Sequence, residues 1–454
     1  MTPPNILYLH SHDTGRYIQP YGYPVETPNL QRLAEEGATF RNAFSAAPTC
    51  SPSRAALLTG QHPHQAGMLG LAHRGFALND PARHLASVLA AAGYHTVLTG
   101  MQHVAHGLDA IAACGYREIH ADSDRAETIA AEFLRSKPAE PFFLDAGFTE
   151  THRVGTSFGE GPDDEKWIGE QGRWVRPPAP LPDIPEVRRD MAAFLASVRR
   201  LDRKIGVILD ALDDSGLAEN TLVVYTPDHG LAFPRLKGTL YDGGIGVALI
   251  ARGPGGFAGG QVIDALVSQL DVYPTLCELA GIDRPEWLEG QSLLPLARGE
   301  VDEVRDELFA EVTFHAAYEP LRTVRTGRWK YIRRFGKRRR AVLPNIDDSP
   351  TKTALLGLGW AERELPAEEL YDLMPDPDEV DNLASDPGSQ AILYDLRDRL
   401  DRWMQETNDP LLEDGIPLPG AITINDPNGL SPSEEPSTYA LPRFIEDWQS
   451  PPAS

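Results

Sequence analysis

The sequence predicts an α/β protein: a mostly parallel sheet sandwiched by helices, followed by a smaller C-terminal α+β domain. Short apolar runs alternate with amphipathic helical patterns as far as Ala280, and alternation of this kind argues a parallel sheet covered on both faces. Polar side chains gather at the carboxyl ends of two of these runs, which is where open α/β sheets place ligands. Beyond the acidic run Glu300-Val301-Asp302-Glu303 the pattern changes to short strands and one late helix.

The first strand is the buried run Ile6 to Leu9, ending in His10-Ser11-His12-Asp13 and then Gly15. A helix follows with Thr27 as N-cap and Pro28 at its first position; it turns Leu30, Leu33 and Ala34 inward and stops at Gly37. Next come a helix around Ala82 to Ala92, strands His95 to Thr99 and Pro141 to Ala146, a long helix from about Val187 to Leu212, and strand Thr221 to Thr226. Between His152 and Val187 the chain is rich in Gly, Pro, Trp and charge, and an irregular stretch of that length is expected to be functional or mobile. A helix over Ser268 to Ala280 ends this part. Strands Leu308 to Val312, Arg322 to Thr326 and Trp329 to Arg333, with a helix over Gln390 to Glu406, form the second. The basic cluster Arg333, Arg334 and Lys337 to Arg340 is expected to be a solvated hairpin.

The 454 residues allow two or three domains at about 150 residues each. The expected division is a catalytic α/β domain over 1–303, a small α+β domain over 304–409 and a tail over 410–454. Nine prolines among the last 45 residues forbid long regular elements in that tail, which Phe444 and Trp448 could dock on the body.

Lys and Arg number 42 against 66 Asp and Glu, a net charge of −24 that repels a phosphate backbone and argues against a nucleic-acid partner. A small anion in a local cationic pocket is still allowed. Three cysteines, Cys50, Cys114 and Cys277, cannot form a disulfide framework. With no basic leader and no apolar run of about 18 residues, the expectation is a cytoplasmic protein without a membrane partner.

The string Cys50-Ser51-Pro52-Ser53-Arg54-Ala55-Ala56-Leu57-Leu58-Thr59-Gly60 carries the most chemistry. Cys50 stands at the start of a helix with Pro52 in its first turn and Gly60 near its stop. An anion there feels unpaired N–H groups and the positive helix end, and Arg54 can reach back to the same spot. The alternative is a buried structural cysteine beside a surface arginine. A second constellation joins His12-Asp13 to Thr226-Pro227-Asp228-His229-Gly230, so that four ligand-type side chains can converge at the sheet's carboxyl edge. Adjacent strand residues point to opposite faces, so both members of each pair serve only if the backbone turns there, which Gly15 and Gly230 permit. Polar loop residues capping helices are the alternative. Two imidazoles favour manganese, zinc or iron over calcium or magnesium.

The Cys50 string resembles the signature of the sulfatase family, Cys or Ser, then x-Pro-x-Arg, four residues, then Thr-Gly, within the alkaline-phosphatase-like superfamily. Lys237-Gly238-Thr239-Leu240-Tyr241-Asp242-Gly243-Gly244 resembles the family's Lys-x-Thr-x-Tyr-Glu-Gly-Gly, and His103 and His152 stand where it has Gly-Lys-x-His and Pro-His. Glu369 to Leu373 with Asn382-Leu383-Ala384 is similar to its C-terminal pattern. Within the family the sulfamidase branch is the nearest, through Arg41 to Phe44, His64 to Leu71, Thr151-His152-Arg153, Glu311-Val312-Thr313 with Arg322, and Trp403 to Pro410.

The resemblance implies a sulfatase fold and hydrolysis of a sulfate ester or sulfamate. It implies that Cys50 is oxidised to Cα-formylglycine by a formylglycine-generating enzyme, that one divalent metal (Ca, Mn or Zn) is held by His12, Asp13, Asp228 and His229, and that Arg54 and Lys237 contact sulfate. His152 would serve the leaving group and His103 the second half of the reaction, while His64, Glu311 and Arg322 would bind substrate. The sequence departs from the family pattern at His12, where an Asp is usual, and at Met101, where a Lys is usual. A small sulfated substrate and a possible homo-oligomer complete the expectation. The competing readings are a phosphonate monoester or phosphodiester hydrolase of the same superfamily, and a non-catalytic carbohydrate-binding relative.

Overall fold

The structure, a computed structural model, describes residues 3–413 apart from residue 160, together with 416, 418, 419 and 422–436. Its first layer system is a nine-stranded sheet of β1 (Asn5–Ser11), β2 (Ala38–Phe44), β3 (His95–Gly100), β4 (Glu118–His120), β5 (Phe142–Gly147), β6 (Thr221–Pro227), β7 (Gly246–Val247), β8 (Ile250–Arg252) and β9 (Gln261–Ser268). The order is β4-β3-β5-β1-β6-β8-β2-β7, with β9 beside β2. The run from β4 to β6 is parallel throughout, while β8 turns antiparallel to β6 and β2 antiparallel to β8. The predicted fold class is the one that forms, with an antiparallel margin that the polar interruption Arg41-Asn42 hides in the sequence.

Strand alternation divides the core into two layers. Ile6 and Tyr8 pack on one face with Phe143, Val224 and the Leu57 and Leu58 pair of the Cys50 helix; Leu7 and Leu9 pack on the other with Leu144, Val223 and the long helix Pro185–Ser215. A second helix, α1 (Pro28–Glu36), buries Leu30 and Leu33 as its spacing predicts. Thr27 stands at its N-cap, but its side chain makes no cap bond and accepts the Gln19 N–H at 2.9 Å instead. The unpaired N–H groups of Asn29 and Leu30 are met from outside, by Asp202 of the long helix at 3.1 and 2.9 Å.

The stretch between His152 and Val187 is not wholly irregular: Pro162–Gln171 is helical and lies on the long helix, with Arg200 holding Asp164 at 2.5 Å. The helix expected around Ala82 begins at Leu85, because Pro81–Arg83 forms a tighter 3₁₀ turn. Among the described residues, no helix is long and apolar enough to cross a membrane.

The second sheet is antiparallel, β10 (Glu307–Phe314), β11 (Tyr318–Thr326), β12 (Trp329–Arg334) and β13 (Glu368–Asp372) in sequence order, with the helix Gln390–Glu406 on one face. In the basic cluster at its edge Arg334 ion-pairs with Glu319 and Arg333 with Asp401, while Lys337 and Arg340 are exposed. Residues 422–436 return along the body, where the Thr423 N–H donates to the Arg74 carbonyl and the Asn425 N–H to that of Ala316. Phe444 and Trp448 lie outside the described residues.

Three residues expected at the substrate are found at the seam between the sheets. His64 Nδ1 donates to Glu311 at 2.7 Å, Glu311 faces Arg322 at 3.1 Å, and Arg322 grips both oxygens of Asp409 at 2.5 and 3.0 Å. Their side chains are at most 1% exposed, so this network ties the seam and presents no face to a ligand. The reason is chemical: a buried guanidinium must be fully paired, and here the carboxylates that pair it come from β10 and the chain after the last helix. Replacing Arg322 by Leu strands two buried carboxylates and is expected to cost about 3–5 kcal/mol of unfolding free energy, read as a lower urea midpoint at unchanged slope.

Candidate active site

Parallel pairing of β1 with β6 sets Ser11 opposite Pro227, so the residues that leave the two strands, His12-Asp13 and Asp228-His229, emerge side by side. Asp13 adopts a left-handed backbone at φ 55°, and Gly15 follows at φ 56°. The turn that lets both His12 and Asp13 face inward is therefore made at Asp13 itself, a strained position for a residue with a side chain. Gly230 contributes differently, since a Cβ there would overlap the carbonyl of Gly243. Asp13 N–H donates to Asp228 Oδ1 at 2.8 Å and locks the two turns together.

Cys50 opens α2 (Cys50–Thr59), and its side chain is 2% exposed. Its Sγ lies 3.4 Å from His229 Nε2 and 3.9 Å from His12 Nδ1. Ser53 donates to the Asp228 carbonyl at 2.5 Å, which fastens the first turn of α2 to the end of β6. One turn on from Cys50, Arg54 points the same way. Its Nη2 donates to the Ser11 carbonyl at 2.8 Å and lies 3.1 Å from Asp228 Oδ2. Behind it runs a buried chain: His10 Nδ1 accepts from Arg54, His10 Nε2 donates to Asp145 at 2.8 Å, and Tyr116 donates to the other Asp145 oxygen at 2.5 Å.

The remaining expected residues converge from other loops. Lys237 Nζ sits 3.0 Å from Asp13 Oδ2 and 3.0 Å from Asp347 Oδ2, whose side chain is part-exposed. The chain after β5 runs beside His12, whose N–H donates to the Glu150 carbonyl at 2.8 Å, and this brings the His152 ring to 4.7 Å from the His12 ring, centroid to centroid. His152 Nδ1 donates to the Arg153 carbonyl at 2.6 Å, leaving Nε2 free. His103, with φ 60°, offers a ring nitrogen within 4.8 Å of both His12 and Cys50. Gln102 does not replace the charge that Met101 lacks, because its side chain is spent on the backbone of Val104 and Ala105.

Two residues in contact with this set carry no motif. Asp347 is separated from Lys237 by 110 positions and has no local signature. His73 Nδ1 lies 3.1 Å from His103 Nε2 with the rings nearly parallel, and its only sequence signal is its place just after the His64 to Leu71 string. His10 belongs to the polar cluster that ends the first apolar run, and nothing in that cluster singles it out.

A divalent cation fits this donor set. Asp13 Oδ1 and Asp228 Oδ2 are buried without a hydrogen-bond partner, and one donor atom each from His12, Asp13, Cys50 and Asp228 lie within 4.8 Å of one another. His229 Nε2 joins them at 3.2 Å from Asp13 Oδ1, its Nδ1 donating to the Gly230 carbonyl so that Nε2 keeps its lone pair. Burial pushes His12 down to about 4, so its imidazole is neutral and available as a ligand. Burial would raise the carboxyls of Asp13 and Asp228, but Lys237 beside the first and His229 and Arg54 beside the second outweigh it and hold both low. Burial likewise drives the Cys50 thiol well up, which makes a poor thiolate nucleophile.

The charges around Cys50 do not by themselves suit an anion. Asp13, Asp228 and Asp347 oppose Arg54 and Lys237, and the excess is negative; a divalent ion reverses the sign.

The chain belongs to the sulfatase family: the family's sequence model, described as Sulfatase, matches residues 4–282, and a second, N-sulphoglucosamine sulphohydrolase, C-terminal, matches residues 229–355. It is a sulfuric ester hydrolase of that family. Among its relatives, human N-sulphoglucosamine sulphohydrolase is 32% identical over 90% of this chain and 91% of its own length. An ulvan-active sulfatase of Formosa agariphila is 30% identical over 89% of this chain and 75% of its own. A crystal structure of a putative sulfatase from Bacteroides thetaiotaomicron shares the fold at a TM-score of 0.71 and 24% identity, covering 95% of this chain and all of that one.

The unpartnered carboxylate oxygens give a direct test by thermal denaturation. After chelation the melting temperature is expected to fall, and a divalent ion at about 100 times its Kd should restore roughly 2.7 kcal/mol of stability. In the double variant Asp13→Asn, Asp228→Asn the response to added ion should disappear.

Proposed function

We propose that this chain is a metal-dependent and formylglycine-dependent sulfatase that removes sulfate from a small O-sulfated or N-sulfated compound. The observation that carries the reading is the placement of Cys50 Sγ at a helix N-terminus, between His12 and His229 and beside the Asp13 and Asp228 carboxylates. Burial pushes the Cys50 thiol well up, which argues against direct thiolate chemistry. His12, Asp13, Asp228 and His229 would hold the ion, and two imidazoles in that set favour manganese, zinc or iron.

When bound, the ion supplies Lewis acidity at a sulfate oxygen, and the hydrated aldehyde supplies a hydroxyl nucleophile. The chain's own groups do the rest. Arg54, pinned by Ser11, His10 and Asp228, and Lys237, pinned by Asp13, bind the charge of the transferring group. His152 Nε2, free and beside His12, carries the proton for the leaving atom. His103 accepts the proton released as sulfate departs. The similarity to human N-sulphoglucosamine sulphohydrolase supports an N-sulfo sugar among the candidates. Three unpaired cysteines support a cytoplasmic setting, with a formylglycine-generating enzyme as the maturation partner.

The mass of the peptide containing residue 50, taken from aerobically grown native host, should show the loss that turns a thiol into an aldehyde. On that material, kcat/KM for an aryl sulfate, N-sulfoglucosamine and a phosphonate monoester should rank a sulfate first. Cys50→Ala should reduce turnover to background, and full activity in that variant would sink the scheme.

A further inference from the structure

Lys237 has more negative charge beside it than its burial requires. Asp13 alone pairs the ammonium at 3.0 Å, and a second carboxylate, Asp347, stands at the same distance on its other side. Next to a site for an anion this second charge is a cost, because it repels sulfate and dilutes the attraction of Lys237. Burial works against its ionisation, but Lys237 outweighs that and holds the carboxyl down to about 2, so the charge is present at neutral pH.

The carboxylate is also placed rigidly and left partly open. On its N-terminal side the Asn345 side chain donates to Glu319 at 3.0 Å and accepts the Ala317 N–H at 2.7 Å. On its C-terminal side Lys352 donates to the Ile346 carbonyl at 2.9 Å and to Asp348 at 2.8 Å. Among the described residues Asp347 has no hydrogen-bond or ion-pair partner except Lys237, which takes Oδ2 alone. Its side chain keeps 16% exposure where Asp13 has none. Asp347 meets the Cys50 cluster through Lys237, whose other partner is Asp13, and its loop is tied to the second sheet through Asn345 and Glu319.

We infer that Asp347 is a specificity-determining residue that accepts a hydrogen bond from a hydroxyl or N–H carried next to the sulfate on the leaving group. The inference rests on the sulfatase reading above and narrows it. A carboxylate held beside the reacting group with one oxygen left unbonded penalises a substrate without that donor, since its acceptor must then be desolvated for nothing. A polyhydroxylated or amino-bearing leaving group meets it, whereas a flat aryl sulfate does not.

The test is the ratio of kcat/KM for N-sulfoglucosamine to kcat/KM for 4-nitrophenyl sulfate, measured on metal-loaded, aldehyde-bearing enzyme. In Asp347→Ala the ratio should fall at least tenfold. In Asp347→Asn, which keeps one acceptor oxygen in place, it should fall less. Equal loss on both substrates would mean that Asp347 only positions Lys237, and would overturn the inference while leaving the sulfatase reading intact. Mature wild-type enzyme that turns over neither sulfate would overturn both. Retention of the metal-dependent rise in melting temperature shows that each variant is folded with its cluster assembled; should Asp347→Ala fail this check, an unmoved ratio in Asp347→Asn overturns the inference by itself.

Discussion

Asp13 and Asp228 stand side by side in a buried pocket, each with an oxygen that has no hydrogen-bond partner among the described residues, and much of the first sheet's half of the molecule answers that arrangement. Two buried carboxylates repel each other and lose their hydration, so they persist only where the fold over-determines them. The parallel register of β1 and β6 fixes their separation, and the Asp13 N–H bonded to Asp228 fixes their orientation. Arg54 and Lys237 supply partial neutralisation from opposite sides, and their own placement depends on it. Without the carboxylates both cations would be buried charges seeking partners. The cluster is thus a set of mutually dependent ions whose donor atoms fit a divalent cation.

That dependence explains why α2 is so firmly fastened. A nucleophile at a helix N-terminus is useful only if the helix cannot slide along the sheet. The Ser53 bond to the Asp228 carbonyl, with Gln269 donating to the Pro227 carbonyl at 2.6 Å, ties the helix to the very turn that carries the ligands. The His10, Asp145 and Tyr116 chain does the same for Arg54 from below. A guanidinium with that many fixed partners is pre-organised, and its field on the transferring group requires no reorganisation.

Much of this was legible in the sequence, and the reasons are local. Strand ends, helix starts and the Cys50 string depend on neighbours within a few residues, so the pairs His12-Asp13 and Asp228-His229 could be placed at one sheet edge from pattern alone. The site's long-range members could not. Asp347 reaches Lys237 only because the loop before Ser349 is pinned to β11 and to its own helix. The turn at Asp13 was attributed to the following glycine, since positive φ is rarely expected of an aspartate. His64, Glu311 and Arg322 were read as substrate contacts from their place in family strings, whereas their burial at the seam follows from tertiary pairing with Asp409 that no local pattern announces.

The same separation of scales bears on how such a site changes its substrate. The groups proposed to handle sulfate are embedded in the nine-stranded sheet and its helices, where each ion depends on its neighbours and any change disturbs the rest. Asp347, carried on a loop of the second sheet's side and touching the cluster through one oxygen, is coupled to it by a single ion pair. Residues of that kind can vary without dismantling the ionic core, because the cost of losing one exposed-side contact is small beside that of stranding a buried charge. On the proposed reading, then, the reaction is written into the strand register, and the choice of leaving group into loops that lean on it.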